Sequence, residues 1–104
     1  MAMYKLCVYI PEQSLESVKA AMFNAGAGRI GAYEHCCWQS SGKGQCMPVA
    51  GSNPSLGSMN QLEQLIEYKV ELVCESDKLE KVIAALKQSH PYEEPAFQYW
   101  RVNE

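Results

Sequence analysis

The chain has 104 residues, of which 47% are hydrophobic and 20% charged, which reads as one globular domain with a modest core and argues against disorder. Nine basic residues against twelve acidic ones leave a net charge of −3, so a general electrostatic grip on nucleic acid or anionic lipid has no support. No apolar run approaches the roughly 20 residues that span a bilayer.

The N-terminal stretch MAMYKLCVYIPEQ lacks the basic cluster and long apolar region of a signal peptide, and a cytoplasmic location is expected. Residues 4–10, YKLCVYI, are rich in β-branched and aromatic residues and predict a first strand. After Pro11, the residues Leu15, Val18, Met22 and Ala25 fall on one stripe, which predicts a helix that stops at Gly26. A second strand is expected over about 30–39. Residues 40–66 are glycine- and proline-rich and read as an insert, with a hairpin around Ser41–Lys43 and residues 44–49 as an added strand. A third strand is predicted over 67–75. The stripe Leu79, Val82, Ile83 and Leu86 predicts a second helix, with Asp77 and Glu80 at capping-box spacing. Pro91 ends that helix by His90, and AFQYWRVN at 96–103 predicts the last strand.

The two halves repeat weakly at an offset of 64 residues. Tyr4, Lys5, Leu15, Glu16, Val18, Ala20 and Ala21 recur as Tyr68, Lys69, Leu79, Glu80, Val82, Ala84 and Ala85. Each half reads strand–helix–strand. Two such units on one antiparallel sheet make an α+β, ferredoxin-like split-βαβ sandwich, βαββαβ, with the first strands of both halves central and the insert of about 40–66 between the halves of a single domain, 1–104. Alternation assigns Leu6, Val8, Ile10, Val70, Leu72 and Cys74 to the helix side, and Lys5, Cys7, Tyr9, Lys69, Glu71 and Val73 to the other. This second face is partly apolar and implies a covering partner, so a homo-oligomer is expected.

Several residues carry possible chemistry. Gly26, Gly28 and Gly31 follow a helix instead of joining a strand to one, so they read as a tight exit into the second strand and not as a dinucleotide loop. In HPYEEP, Pro91 and Pro95 make a rigid connector. His90, Tyr92, Glu93 and Glu94, with Tyr33, are the candidates for a ligand cleft, since carboxylates beside a histidine can do acid–base work or hold a hard metal. The five cysteines, Cys7, Cys36, Cys37, Cys46 and Cys74, are an odd number without an export signal and are read as reduced. His35 and Cys37 share a strand face. A Ser41–Gly42 turn would set Cys37 across from Cys46 at a Cβ separation of about 4.5–5.5 Å, a donor set suited to copper(I) or zinc. A Gly42–Lys43 turn would break that pairing.

AGAGRIGAYEHC at 25–36, HPYEEPAFQYW at 90–100 and the loop bearing Gly42, Gly44, Pro48, Pro54 and Gly57 together resemble the PII/CutA-like domain inserted in the YqfO (Nif-three-like) family, over nearly the whole chain. HPYEEP also resembles the corresponding turn of CutA proteins. The resemblance implies a ferredoxin-like fold, a CutA-like tendency to form trimers and no established catalytic activity. The family's longer members have flanking lobes with a dimetal site of His, Asp and Glu ligands. This chain reads as the insert standing alone, so that metal chemistry is not carried over. It departs from the pattern at Cys46, where a large apolar residue is expected, and in the second thiol Cys37.

PII proteins bind nucleotides at subunit clefts. Here Lys43 is the only basic residue between Arg29 and Lys69, which disfavours a triphosphate and suits a neutral or cationic ligand. The expected function is therefore a non-enzymatic trimeric module that binds a small ligand or a protein. The alternative is a copper- or zinc-binding protein using His35, Cys37 and Cys46. A thiol enzyme finds no cysteine, histidine and acid at recognisable spacing.

Overall fold

A computed structural model describes residues 2–55 and 57–103. Strand β1 (Met3–Pro11) leads through a short 3-10 turn (Glu12–Ser14) into helix α1 (Leu15–Asn24). Strands β2 (Trp38–Cys46) and β3 (Glu63–Glu75) follow, then a second 3-10 turn (Ser76–Lys78), helix α2 (Leu79–Ser89) and strand β4 (Phe97–Val102). One antiparallel sheet has the order β2-β3-β1-β4. This is the α+β split-βαβ arrangement, with the first strands of both halves side by side in the middle.

The register of β1 on β3 carries the repeat. Cys7 pairs with Glu71, its own equivalent 64 residues later, while Leu6 pairs with Leu72 and Val8 with Val70. A local two-fold axis therefore passes between Cys7 and Glu71. Both 3-10 turns and both helix starts obey the same offset.

Leu6, Val8, Ile10, Val70, Leu72 and Cys74 are buried against Leu15, Val18 and Met22 of α1 and Val82 and Leu86 of α2. Each such side chain contributes roughly 1.5–3 kcal/mol by leaving water. Among the described residues no helix is long and apolar enough to cross a membrane.

The structure corrects four local expectations. β2 does not turn at Ser41–Lys43; it runs unbroken from Trp38 to Cys46, paired with Glu71 to Glu63. Residues 30–37 form a turn segment closed by an Ile30–Tyr33 bridge instead of the start of the strand. Residues 40–46 and 63–66, expected inside the insert, thus belong to the sheet, and 43–46 paired with 63–66 form a two-stranded arm that continues past the end of β1. Glycine is used here for close approach: a methyl at Gly44 would collide with the Glu67 carboxylate. The capping box at the second helix does not form either. Asp77 lies in the 3-10 turn, and Lys78 precedes α2 without a side-chain cap.

Candidate functional site

Helix α2 ends because Pro91 forces His90 out of the helical region, to φ −74° and ψ 137°. That change of direction turns the His90 ring inward, where it is buried. Its Nε2 lies 2.8 Å from the Tyr9 carbonyl oxygen, and the Tyr92 backbone N–H donates to its Nδ1 at 3.1 Å. Nδ1 is therefore an acceptor, and Nε2–H donates to Tyr9. Burial holds the imidazole pKa below its ordinary 6.5, against the smaller opposing pull of the Tyr9 carbonyl and Glu67.

With His90 as the bracket, Tyr92 is directed at the β2–β3 arm. Its hydroxyl donates to Glu67 Oε2 at 3.0 Å. Burial, followed by the bond to Glu67 and that carboxylate's charge, pushes the phenol well above its usual 10. Glu93 Oε1 accepts the backbone N–H of Asn53 at 2.9 Å, which ties the long loop after β2 to the connector. The loop is braced internally by Asn60 N–H to the Pro48 carbonyl (2.6 Å) and Ser52 N–H to the Val49 carbonyl (3.1 Å).

Between loop, connector and arm lies a cavity of about 700 Å³. Its floor is the face of the sheet turned away from the helices, carrying Tyr9, Leu65, Glu63 and Glu67. Tyr92, Glu93 and Glu94 close one side, and Met47, Pro48 and Pro54 of the loop the other. Four carboxylates line it, and Lys43 is its one cationic residue among those described. Strand alternation puts the Lys43 side chain on the opposite face from Gly44 and Cys46.

Of the proposed cleft residues, Tyr92, Glu93 and Glu94 line this cavity. His90 sits behind it as a support. Tyr33 does not line it: it is 74% exposed in the turn before β2, because that segment never becomes strand. Glu63, Leu65 and Glu67 are the residues that the motif-based reading missed. Their acid–apolar–acid alternation was the available signal, hidden by reading residues 63–66 as loop.

The metal candidates are not brought together. His35, at φ 60°, stacks on Phe23 with ring centroids 4.9 Å apart and planes 13° apart. It shares a smaller cavity of about 350 Å³ with Glu16, Lys19 and Cys37. Cys46 faces Glu63 at the far end of β2, nine residues of chain and on the order of 30 Å from Cys37. The pairing required a turn that the strand does not make. Among the described residues no group of three or more His, Cys, Asp or Glu side chains is placed to hold a metal ion. The five cysteines are free thiols.

Gly26, Gly28 and Gly31 have positive φ angles of 115°, 80° and 57°. Their spacing is G-x-G-x-x-G, but they leave a helix rather than enter one. Gly28 donates its N–H to the Val73 carbonyl at 2.8 Å and accepts the Cys36 N–H at 2.8 Å, which fastens the segment to β3.

The open sheet face has apolar character beyond the residues first assigned to it. The register puts Trp38 of β2 and Trp100 of β4 there, 68% and 45% exposed, with Val73 between them and a Lys5–Glu71 ion pair at 3.8 Å.

No family model matches the sequence. Two curated relatives named GTP cyclohydrolase 1 type 2 homolog are similar to it. The one from Mycobacterium bovis is 44% identical over 93 residues, covering 89% of this chain and 24% of the relative. The one from Bacillus subtilis is 42% identical over 100 residues, covering 96% and 27%. The chain thus spans about a quarter of the length of these relatives. Among solved structures, a Bacillus cereus protein related to NIF3 superposes with a TM-score of 0.83 at 35% identity, over 99% of this chain and 26% of that one. The periplasmic divalent cation tolerance protein CutA from Archaeoglobus fulgidus (TM-score 0.67, 13% identity, 98% and 85% coverage) and B. subtilis GlnK (0.64, 13%, 98% and 86%) share the fold alone. The chain is thus homologous to one segment, about a quarter of the length, of the Nif-three-like (YqfO) proteins named GTP cyclohydrolase 1 type 2 homolog, and it has the CutA/PII-like fold.

Proposed function

We propose that the chain is a non-enzymatic, homo-oligomeric binding module whose cavity takes a small neutral or cationic molecule. The observation that carries this reading is the cavity of about 700 Å³, whose lining holds four carboxylates against one lysine. Such a surround repels phosphates and favours cations or uncharged polar groups. The absence of catalysis is supported by His90, whose two nitrogens are both committed to backbone groups, and by His35, which is stacked on Phe23 away from the cavity. A trimer is the proposed assembly. The exposed Trp38 and Trp100 on the open sheet face are its support, since a partner that covers them removes two large aromatic rings from water. Five free thiols suit a reducing, cytoplasmic compartment.

Native mass spectrometry of the chain, purified without chelators, tests both parts. The expected spectrum is a trimer that persists on dilution and carries a small organic mass on each subunit. A monomer at all concentrations would overturn the assembly. Turnover of the retained molecule would overturn the non-enzymatic reading.

A further inference from the structure

The connector from α2 to β4 is held by few bonds. At its start the His90 N–H closes the helix on the Leu86 carbonyl, and at its end the Ala96 carbonyl accepts the Tyr9 N–H at 3.2 Å. Between those points, among the described residues, 91–95 make no backbone-to-backbone hydrogen bond. Three bonds with a side-chain partner hold them: Tyr92 N–H to His90 Nδ1, the Tyr92 hydroxyl to Glu67, and Asn53 N–H to Glu93. The last is also, among the described residues, the one hydrogen bond that ties residues 47–55 to anything outside their own loop. A segment so weakly held is the kind that opens locally without global unfolding.

His90 is the inner end of this chain of contacts. A neutral imidazole serves Tyr9 and Tyr92 together, because one nitrogen donates and the other accepts; an imidazolium has two donors and no acceptor. A proton on Nδ1 would face the Tyr92 N–H, whose nitrogen is 3.1 Å away. From β1 the ring meets the Tyr9 carbonyl. From β3 the charge of Glu67 favours the proton, and burial opposes it more strongly. From the connector the Tyr92 ring lies 4.9 Å away between centroids, with Glu93 and Glu94 after it. On α2, Lys87 stands one turn back, over the Phe97 ring at 5.7 Å. Of the side chains in the three holding bonds, only histidine ordinarily changes charge between about pH 5 and 8.

We propose that His90 is a proton-operated latch: a proton taken from water onto Nδ1 releases residues 91–95 from the sheet, and with them residues 47–55, while the sheet and both helices stay folded. The closed connector needs the neutral ring. Opening returns the imidazole to water, so the open form binds the proton more readily and gains population as pH falls below the ordinary 6.5, by at most about tenfold per pH unit. The loop follows because Glu93, which carries the Asn53 tether, belongs to the connector that moves. The latch goes beyond the reading of the cavity as a ligand site and stands whether or not that reading does.

Amide hydrogen exchange of the full chain, read residue by residue by NMR and corrected for intrinsic rates, tests this. Protection of the Tyr92 and Asn53 amides should fall about threefold or more between about pH 7.5 and about pH 5.5, while the amides of β1 keep theirs. In His90→Gln the amide side chain can donate to Tyr9 and accept from Tyr92 without titrating, so protection at both positions should not change with pH. In the wild type the loss should follow the titration of the His90 ring resonances, a measurement that needs no variant to fold. A fall of equal size in His90→Gln, or a loss that does not follow the His90 ring, would overturn the latch. So would simultaneous loss at the β1 amides, which would mean global unfolding. Loss at Tyr92 with full protection at Asn53 would overturn the release of the loop.

Discussion

His90 ties three segments together: its ring touches the β1 backbone through Nε2 and the connector through Nδ1, and its own N–H completes α2 on the Leu86 carbonyl at 2.9 Å. Protonating Nδ1 would remove the acceptor for Tyr92 N–H. Because the folded-state pKa lies below the ordinary 6.5, the unfolded chain binds the proton first as pH falls. The stabilisation is therefore complete above about 6.5 and is lost as pH drops toward the lowered folded value, with a slope of at most about 1.4 kcal/mol per pH unit. Urea unfolding at about pH 7.5 and about pH 5 should show wild type losing more stability than His90→Gln; parallel losses would refute the role. HPYEEP was legible in the sequence as a stop and a rigid turn, because proline acts locally. The bond from Tyr92 to Glu67 was not, since it joins residues 25 positions apart.

At the scale of elements, the glycines divide into those whose backbone angle or close neighbours exclude a side chain and those that would accept one. Gly28 has φ 80°, and an added Cβ would sit 2.8 Å from the Cys36 carbonyl oxygen and 2.9 Å from the Phe23 ring. Gly28→Ala should cost about 2–3 kcal/mol in a denaturant titration. Gly42 lies within β2, and a Cβ there meets nothing within 4 Å. Gly42→Ala should be neutral or stabilise by up to about 0.5–1 kcal/mol; a strong loss would mean that the chain does turn at Ser41–Lys43. The error over β2 has a physical source. Gly and Ser favour turns by local conformational freedom, but here tertiary pairing with β3 holds SSGKGQC extended. The same misplacement produced the Cys37–Cys46 pair and hid Glu63.

For the whole molecule, the open sheet face is the feature with consequences. Trp38 and Trp100 stand on opposite edge strands of that face, so an assembly covering it has to bury both. Trp38→Asp and Trp100→Asp should each shift sedimentation from oligomer to monomer while leaving far-UV circular dichroism unchanged. An oligomer that survives both changes would place the interface elsewhere. Neither residue was assigned to this face beforehand, because an edge strand's face depends on its register with a central strand.

Chain order and composition were enough to establish the duplicated strand–helix–strand plan, the helix-facing core and the central position of β1 and β3. Those features rest on periods of two and 3.6 residues and on a repeat that can be counted. The arm, the cavity and the separation of His35 and Cys37 from Cys46 were settled in three dimensions, by the pairing of β2 with β3 and the binding of the loop to Glu93. These contacts link residues far apart along the chain. Local propensity carries no information about which distant backbone will supply the hydrogen bonds that outweigh it.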